Sequence, residues 1–548
     1  MRRDKQGCPT SKQVLILNVT RMGDLVQTSP LVSRLKWEWP DVAVDLMADQ
    51  RFASTASLIP GVRQLLTFDF HGFLHKNLPM THTLEDLSPG LSKWLEPLKA
   101  LGYDRVINLT FTPRSGLLAA ALGIPDTRGA VATPGGTVAL RNPWLTHFVN
   151  LRQDRHLNHF NLVDLYSLGG SGPGPFAPIR LSIPRQDDDW ACQFLSHQVE
   201  KETLAVAVQV GASQAKKAWR PEYFGLTMAA ISFQAKVTFI LIGMGNEAGS
   251  VELAVKAYRS AGGKALLLNA MGQTGVSELA GLLKHCRLLL TNDTGPMHLA
   301  VGVGTPVVDL SLGHVHFRET GPFGPGHWVI EPRIDCAPCV YEETCLHHAC
   351  KDQVVCEQVA ELAVHCLGKG PFPTGWTDVG VYESGVDEDG LACFRFRAGS
   401  RDSVTEWYGT FWRRFWYETW TGLASGVPHQ DAVPDLVGQQ EVFERLDQSG
   451  SRAVTLSMQL VNMSRQQAFD TVAIKDTNAD LLKERQRIFT IARATPAFRP
   501  LAVGLAQDLY DNAEGFLTQR LDYQAKAYAV WGERNREVMR RLQGSTLA

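Results

Sequence analysis

The sequence predicts an α/β fold in which two Rossmann-like domains face a cleft, followed by a mainly helical extension. Short apolar runs typical of buried parallel strands alternate with amphipathic helical stretches, and this alternation occurs twice along the 548 residues. The Gly/Pro-rich stretch 169–178 separates the two series and is the best candidate for a hinge. After about residue 376 the pattern changes to long helices.

The first α/β domain is predicted over residues 12–175. Alternation of strands and helices at this spacing favours a parallel sheet covered on both faces. The strand-like runs are Val14–Val19, Val42–Met47 and Val106–Leu109, and amphipathic stretches lie near 25–37 and 116–122.

The second α/β domain is predicted over residues 185–368, with a Cys-rich segment at 336–366. Its helical stretches include 247–261 and 276–286. The strand-like runs are Leu204–Val210, Val237–Ile242, Ala265–Leu268, Leu288–Leu290 and Val307–Leu310.

The extension is predicted over residues 376–548. Val379–Glu383 and Ala392–Phe396 flank the turn-forming residues 387–390, which predicts a β-hairpin. Long helical patterns follow at about 403–422, 460–494 and 501–542.

An aromatic stripe marks the first of these helices. Trp412, Trp416 and Trp420 recur every four residues, so they share one helix face. We interpret the stripe as packing the extension onto the second α/β domain. A surface for sugar, for a partner helix or for a membrane is the alternative.

Charge and hydropathy restrict the classes of partner. The formal net charge is −2, without the basic surplus of a nucleic-acid-binding protein. The first apolar run has six residues, too few for a signal peptide, and no window approaches the ~20 apolar residues that span a bilayer. We therefore expect a cytoplasmic protein, with peripheral association at the inner face of the inner membrane as an alternative.

Six of the ten cysteines fall within about thirty residues, which favours a metal over disulfides in a reducing compartment. Cys336 and Cys339 have the spacing of a metal-ligand pair. With Cys345 and Cys350 they would supply four thiolates to a structural zinc or iron ion, and Cys356 is an alternative ligand. Reduced thiols that only pack are the other interpretation.

The turn after the first strand carries a carboxylate. Gly23 allows a tight turn and the close approach of a ligand, and Asp24 could accept a proton from an attacking hydroxyl. The alternative is that Asp24 only caps a helix.

Two turns of the second domain predict a site for a diphosphate. After the strand that ends near Val210, Ser213 offers a hydroxyl and Lys217 could neutralise a leaving diphosphate, unless the loop is simply a solvated basic one. Trp219 is interpreted as a packing anchor. After Leu288–Leu290, four residues follow at a strand-to-helix turn suited to sugar and phosphate: Asp293, Thr294, Gly295 and His298.

A third glycine-rich turn, 243–249, is only superficially similar to a dinucleotide fingerprint, because its last spacing is one residue too long. Within it, Glu247 could hold ribose hydroxyls. A plain acid at a helix start is the equal alternative.

Taken together, these motifs resemble the ADP-heptose:lipopolysaccharide heptosyltransferases of glycosyltransferase family nine. The matching segments occur in the family's order over about residues 12–365: 21–31, Gly211-Ala-Ser213 with Lys217 and Trp219, 291–300 and 321–326. The resemblance implies a GT-B fold and an inverting sugar transfer that needs no metal or other cofactor for catalysis. It also implies an ADP-sugar donor, ADP-heptose above all, bound by the second domain, and an acceptor bound by the first domain, residues 12–175.

The resemblance also implies roles for individual residues. Asp24 corresponds to the general base, and Lys217, Ser213 and residues 293–295 correspond to the diphosphate and sugar site. Glu247 corresponds to the ribose contact.

Two features depart from the compact family pattern. The extension leaves open whether the acceptor is a lipopolysaccharide core, another glycan or a protein. The Cys-rich segment is similar to one through which the autotransporter branch binds iron. A non-enzymatic nucleotide-sugar binding or scaffold protein is the alternative function.

Overall fold

The computed structural model describes residues 12–69, 89–150, 155–199, 202–340, 344–428, 434–466, 470–511 and 516–544. Contacts divide the chain into two compact units, which are described separately. Unit 1 comprises residues 1–81, 102–104 and 160–401, and unit 2 comprises residues 82–101, 105–159 and 402–548.

The strands of the described residues, in chain order, are β1 (Gln13–Leu17), β2 (Ala43–Asp49), β3 (Gln64–Phe68), β4 (Arg105–Asn108), β5 (Asp126–Ala132), β6 (Val138–Arg141), β7 (Leu204–Gln209), β8 (Val237–Ile242), β9 (Leu266–Asn269), β10 (Leu288–Asn292), β11 (Val307–Leu310), β12 (Trp328–Pro332), β13 (Val379–Val386) and β14 (Ala392–Gly399).

The α-helices are α1 (Met22–Val26), α2 (Ser29–Glu38), α3 (Ala53–Ala56), α4 (Pro89–Ala100), α5 (Pro113–Leu122), α6 (Pro143–Asn150), α7 (Leu162–Gly170), α8 (Arg185–Gln198), α9 (Pro221–Gln234), α10 (Ala248–Ser260), α11 (Val276–Lys284), α12 (Gly295–Val303), α13 (Phe317–Thr320), α14 (Cys356–Cys366), α15 (Ser403–Thr421), α16 (Leu436–Ser464), α17 (Thr471–Arg493), α18 (Arg499–Asp511) and α19 (Leu517–Gly544).

Unit 1 contains a parallel set of strands in the order β3-β2-β1 and a separate eight-stranded sheet. The eight strands run in the order β14-β13-β12-β11-β10-β7-β8-β9, and β7 to β12 pair parallel with one another. The surroundings of strand β7 explain why its sequence is almost entirely apolar. Val206 and Val208 pack into one core cluster, whereas Ala205 and Ala207 pack into another. Because side chains alternate along a strand, these clusters fill the two faces of the sheet, and helices cover both.

The predicted β-hairpin is present as β13 and β14, which pair antiparallel. Strand β13 also pairs antiparallel with β12, so the hairpin lengthens the eight-stranded sheet. The turn is closed by Asp387, whose carboxylate accepts hydrogen bonds from the backbone N–H groups of Asp389 and Leu391. The hairpin is therefore hydrogen-bonded into a sheet of unit 1, although the sequence grouped it with the later helices.

Unit 2 contains β4, β5 and β6, in which β4 and β5 are parallel and β6 is antiparallel to β5. Its helices are α4 to α6 and α15 to α19. The aromatic stripe of α15 is largely buried, with Trp412 and Trp416 at 1% and 3% exposure. Trp420 meets Trp144 of α6 edge to face at 4.8 Å. The stripe thus packs within unit 2 against α6, not against the second predicted domain as expected.

The long helical patterns of the extension are divided more finely than predicted. The pattern at 460–494 is split because Asp470 begins a new helix, its carboxylate accepting from the backbone N–H groups of Val472 and Ala473. The pattern at 501–542 contains both α18 and α19, and most of α16 was not predicted.

Parallel strands flanked by helices, followed by a helical C-terminal region, confirm the predicted α/β fold class. The domain boundaries 12–175, 185–368 and 376–548 stay a prediction. None of the helices in the described ranges has the length and apolar character needed to cross a bilayer.

Candidate functional site

The turn after β1 is fixed by a buried amide. Asn18 is fully buried, and its Nδ2 donates to the backbone carbonyl of Asp24 at 3.0 Å and to Thr28 Oγ1 at 2.7 Å. The Asp24 carboxylate accepts a hydrogen bond from the backbone N–H of Arg21 at 3.4 Å, as part of a capping box. Asp24 therefore does contribute to the start of α1, as its structural interpretation expected.

The surroundings of Asp24 also shift the pKa of its carboxyl group. Burial raises its pKa above the ordinary value, and this effect is opposed by hydrogen bonds from Arg21 and Thr20 and by the charges of Arg21 and Lys217. Tyr166 lies close enough for the charge of Asp24 to add to the effect of burial in raising the tyrosine pKa. A carboxylate whose pKa is raised is a stronger base than an ordinary one.

His298 lies directly against the turn that carries Asp24. Its ring nitrogens are 3.0 and 3.1 Å from Nε2 of Gln27, and a Cβ atom on Gly23 would lie only 2.7 Å from His298 Cδ2. The group that closely approaches Gly23 is therefore the side chain of His298. Burial, aided by the charge of Lys217, lowers the pKa of His298 to about 3, so the imidazole is neutral near pH 7.

The two adjacent lysines of the loop after β7 have different positions. Lys216 is 8% exposed, and its Nζ donates to the carbonyl of Val340 at 3.1 Å. Lys217 is only half-buried, and its Nζ donates to the backbone carbonyl of Asp293 at 2.9 Å. Lys217 is therefore the lysine that meets the turn after β10.

Asn292, at the end of β10, holds this loop and this turn together. It is fully buried, its Oδ1 accepts from the backbone N–H of Trp219 at 2.8 Å, and its Nδ2 donates to the carbonyls of Val210 and Gly211. Trp219 is itself fully buried, which confirms that it is a packing anchor. These hydrogen bonds fix the position of the loop that carries Lys217.

The turn after β10 leads into α12. Asp293 is 8% exposed and its Oδ2 accepts from Thr320 Oγ1 at 3.1 Å. Thr294 precedes α12 and has an extended backbone conformation, and Gly295 is the first residue of α12. A Cβ atom on Gly295 would collide with the Met22 side chain. The start of α12 and the start of α1 are therefore in contact within unit 1.

A buried carboxyl group lies beside this turn. Asp309 of β11 is fully buried, and neither of its carboxylate oxygens has a hydrogen-bond partner among the described residues. Burial and the neighbouring charge of Asp293 raise its pKa far above the ordinary value, against the opposing effect of Lys217. Asp309 is thus an uncompensated acid next to the predicted phosphate site.

The Glu247 carboxylate fills space that is open because Gly211 and Gly243 have no side chains. Its Oε2 accepts from the backbone N–H of Met244 at 2.8 Å and from Gln209 Nε2 at 3.2 Å. A Cβ atom on either Gly211 or Gly243 would overlap the Glu247 carboxylate. Glu247 therefore lies at the end of β7, and one of its carboxylate oxygens already stabilises the local helix start.

The structure brings most of the predicted site residues into one region of unit 1. The charge of Lys217 acts to lower the pKa of both Asp24 and His298, and Gly23 and Gly295 are points of close approach. Ser213 is exposed on the loop that carries Lys217. The roles assigned to these residues stay predictions.

The predicted metal ligands of the Cys-rich segment are near one another. Burial raises the pKa of Cys339, and the neighbouring thiols Cys336, Cys350 and Cys345 add to this. Cys350 is buried, Cys336 is exposed, and Cys356 is half-buried with its pKa raised to about 11 by burial. In the chain as described, which omits residues 341–343, no three Cys, His, Asp or Glu side chains are placed to hold a metal ion.

Three residues that shape the site were missed from the sequence. Asn292 and Gln27 are amides, whose importance shows only in their partners. Asp309 did carry a signal, because a single acid within the buried run Val307–Leu310 is unusual for a strand interior.

Comparisons with known proteins find similarity to one family. The model of glycosyltransferase family 9 (heptosyltransferase) matches residues 92–349. Lipopolysaccharide heptosyltransferase 3 of Escherichia coli strain K12 is 26% identical over 305 residues, which are 54% of this chain and 82% of that relative. Lipopolysaccharide heptosyltransferase 2 of the same strain is 22% identical over 309 residues, again 54% and 82% of the two chains.

The fold has a counterpart among solved structures. A family 9 glycosyl transferase from Veillonella parvula DSM 2008 superposes with a TM-score of 0.51 at 20% identity, covering 66% of this chain and 99% of that one. This likeness supports the predicted GT-B type of fold. The chain is therefore a glycosyltransferase that resembles family 9 over residues 92–349 and carries a mainly helical C-terminal extension.

Proposed function

We propose that this glycosyltransferase moves heptose, or a similar sugar, from an ADP-sugar to a hydroxyl group with inversion at the anomeric carbon and without a catalytic metal. The proposed acceptor is a lipopolysaccharide core, another glycan or a protein. The names of the relatives support heptose and lipopolysaccharide. The observation that carries the proposal is that the turn bearing Asp24 meets the start of α12, where Lys217 donates to the backbone carbonyl of Asp293.

In the proposed mechanism, Asp24 accepts the proton of the acceptor hydroxyl as its oxygen attacks the anomeric carbon. The bond from that carbon to the diphosphate breaks, and its electron pair leaves with the diphosphate oxygen. Burial supports the role of Asp24 because it raises the basicity of the carboxylate. Inversion follows when the base and the leaving group lie on opposite faces of the sugar.

Negative charge that develops on the leaving diphosphate needs stabilisation. Lys217 supplies a cation, and the start of α12 supplies backbone N–H groups at Thr294 and Gly295. His298 is neutral, so we propose that it acts as a hydrogen-bonding group and not as a second cation. Glu247 would accept hydrogen bonds from the ribose through the oxygen that is not engaged with Met244.

The test compares Asp24→Asn with the parent enzyme. The amide keeps the size of the side chain and removes the basic oxygen. We expect transfer from ADP-heptose to fall by about 10²–10⁴-fold, while the affinity for ADP changes little. Near-normal transfer by Asp24→Asn would remove Asp24 from the proposed role.

The same experiment examines the scaffold alternative. Tight ADP-sugar binding by the parent, with neither transfer nor donor hydrolysis in the presence of any acceptor, would favour a non-catalytic binding protein. A cytoplasmic position, peripheral contact with a membrane and the structural iron or zinc ion at the cysteines stay predictions.

A further inference from the structure

The linker that follows α7 is held by a buried arginine of α2. This linker comprises residues 171–182 and contains most of the Gly/Pro-rich stretch. Arg34 is 4% exposed, and its guanidinium donates to the backbone carbonyl of Pro175 at 2.7 Å and to that of Gly172. Hydrogen bonds from a charged donor are roughly twice as strong as neutral ones. These two bonds from one side chain therefore fix the course of the linker between Gly172 and Pro175.

Two glycines of the linker are explained by this contact. A Cβ atom on Gly174 would overlap the Arg34 guanidinium, so a larger residue there would displace the arginine. Gly172, whose carbonyl accepts from Arg34, has a φ of +143°, which residues with a side chain rarely adopt. The glycines that suggested a flexible hinge thus allow the linker to fit closely against α2.

Both ends of α2 contact the linker. At the C-terminal end of the helix, Glu38 accepts a hydrogen bond from Ser171 Oγ at 2.7 Å. At the N-terminal end, Ser29 Oγ accepts from the backbone N–H of Arg180 at 2.9 Å. Because Arg34 lies between these two residues of α2, the helix binds the linker at its start, in its middle and at its end.

The same linker also contacts α12, whose first turn is the proposed diphosphate site. The backbone N–H of Leu181 donates to the carbonyl of Gly302 at 3.0 Å, and a Cβ atom on Gly302 would lie only 2.7 Å from Leu181 Cγ. Gly302 belongs to the last turn of α12. The linker is therefore bound both by α2 and by α12.

Each of these two helices leads to one part of the proposed transfer site. Thr28, the residue before α2, donates through Oγ1 to the backbone carbonyl of Asp24 at 3.2 Å. Gly295 begins α12 and lies against Met22 of α1. Rigid helices carry a displacement from one end to the other. The contacts of the linker with α2 and α12 therefore influence the separation of Asp24 from the start of α12.

The β13–β14 hairpin also reaches the linker. A Cβ atom on Gly390, in the turn of the hairpin, would lie 3.4 Å from the backbone nitrogen of Phe176. The backbone N–H of Ala392 donates to Asp164 Oδ2 at 2.9 Å, which joins the hairpin to α7 directly before the linker. The hairpin lies beyond the matched residues 92–349, so this support comes from a part of the chain outside the family match.

We infer that Arg34 is a positioning residue for the transfer reaction: it holds the linker against α2 and thereby fixes the distance between Asp24 and the start of α12. The inference rests on the proposed function, because that distance matters only if an acceptor at Asp24 attacks a sugar held at α12. Arg34 is buried against the linker and acts through other residues. Its loss should lower kcat and leave the affinity for ADP nearly unchanged.

The first test compares Arg34→Met with the parent. Methionine keeps the apolar part of the side chain and removes both hydrogen bonds to the linker. We expect kcat for transfer from ADP-heptose to fall by about 10–100-fold, because a displacement of about 1 Å can cost that much, while calorimetry shows nearly the same affinity for ADP. Arg34→Lys keeps the charge without the fork of donors, so it should retain more of the kcat than Arg34→Met.

Arg63→Met is the matched control. Arg63 donates to both carboxylate oxygens of Asp45 in β2, and it does not hold the linker. Its loss should lower the melting temperature and leave kcat near that of the parent at a temperature where both are folded. An unchanged kcat in Arg34→Met would overturn the inference. Equal losses of kcat in Arg34→Met and Arg63→Met, or a loss of ADP affinity as large as the loss of kcat, would indicate general damage and would overturn it too.

Gly174→Ala tests the contact itself. In the parent the added methyl group would displace the Arg34 guanidinium, so kcat should fall about as far as in Arg34→Met. In the Arg34→Met background the side chain ends before the guanidinium position, and Gly174→Ala should then have little further effect. Additive losses in the double variant would show that Gly174 acts by another route and would overturn the inference.

Hydrogen exchange measured by mass spectrometry on the full chain separates this inference from the proposed function. If the parent transfers no sugar, the proposed function fails, but the amides of Arg180 and Leu181 should still be protected in the parent. They should exchange faster in Arg34→Met, which supports the hold of Arg34 on the linker independently of the reaction. Equal exchange of these amides in Arg34→Met and in the parent would overturn the inference, whatever the activity.

Discussion

The ammonium group of Lys217 donates a hydrogen bond to the backbone carbonyl of Asp293 over 2.9 Å. This bond joins the loop after β7 to the turn after β10, and Asn292 holds the same two segments through its own side chain. One positive charge is thus fixed at the start of α12, where the helix N–H groups already favour an anion. The proposed diphosphate site is based on this fixed charge and on the start of α12.

Replacement of Lys217 by Ala should reduce transfer by about 10²–10³-fold and should also weaken the binding of ADP-sugar, because the leaving diphosphate loses its cation. The measurement is steady-state kinetics together with calorimetry for ADP.

The adjacent lysine provides a matched control. Lys216 is buried and donates to the carbonyl of Val340, so Lys216→Ala should lower the melting temperature while leaving the affinity for ADP near that of the parent. Equal effects of the two substitutions on ADP affinity would contradict the separate roles given to these lysines.

The pair illustrates what the sequence could predict. A strand followed by small and basic residues indicates an anion-binding loop, and the strand ends predicted Asp24 and Asp293 as members of the same site. Sequence spacing gave no reason for Lys216 to turn toward Val340, because that choice depends on packing across 124 residues of chain. Contacts of this kind are set by tertiary structure alone.

The same limit explains the other differences. Strands such as β8 and β11 were predicted with their observed bounds, because continuous apolar runs between turns are typical of buried parallel strands. Strand β3 was missed because its side chains are mostly half-buried or exposed. The predicted packing partner of the aromatic stripe was wrong. The periodicity of a helix sequence identifies which face is apolar, but it does not identify the surface that this face contacts.

Replacement of Gly23 by Ala should damage the site through His298. The added methyl group would lie 2.7 Å from the imidazole ring, which is buried and packed against Gln27. Overpacking of this kind costs about 1–3 kcal/mol. We expect a lower free energy of unfolding and a marked loss of transfer, measured by denaturant titration and kinetics.

Gly249→Ala is the control for this substitution. Gly249 lies in α10, and an added Cβ atom there would meet nothing within 4 Å. Alanine in an unstrained helix should be neutral or should stabilise by about 0.4–1 kcal/mol. If Gly23→Ala behaved in the same way, the ring of His298 would not be in the contact described.

The acidic limb of the pH profile should report Asp24. Because burial raises its pKa above the ordinary 3.8, the base should become protonated at a higher pH than an exposed aspartate would. Transfer should therefore decrease as pH falls through this raised value. Lys217 lowers the pKa of Asp24, so its removal should move the limb of the remaining activity to higher pH.

This shift is measured as kcat/KM against pH for the parent and for Lys217→Met. Lys216→Met serves as a control that keeps the cation at the site. A limb that moved to lower pH, or did not move, would show that the two groups are not coupled in the free enzyme.

Asp309 should make the protein less stable as pH rises. Its pKa is raised in the folded state, whereas the unfolded chain has the ordinary value of 3.8. Between these two values the folded state binds more protons than the unfolded state, so the free energy of unfolding decreases with increasing pH. The stabilising effect of the protonated form is complete below the unfolded pKa and is lost as pH rises through the folded pKa.

Asp309→Asn removes this titration while keeping the shape of the side chain. Both Asp309 oxygens lack partners among the described residues, so the ionised form carries a burial penalty that the amide avoids. The variant should be more stable than the parent at pH 8, by about 1–3 kcal/mol, and nearly equal to it at pH 4. Urea titrations at the two pH values measure the difference, with Asp476→Asn as the exposed control. A variant that lost stability at pH 8 would show that the ionised carboxylate has a stabilising partner in the folded protein.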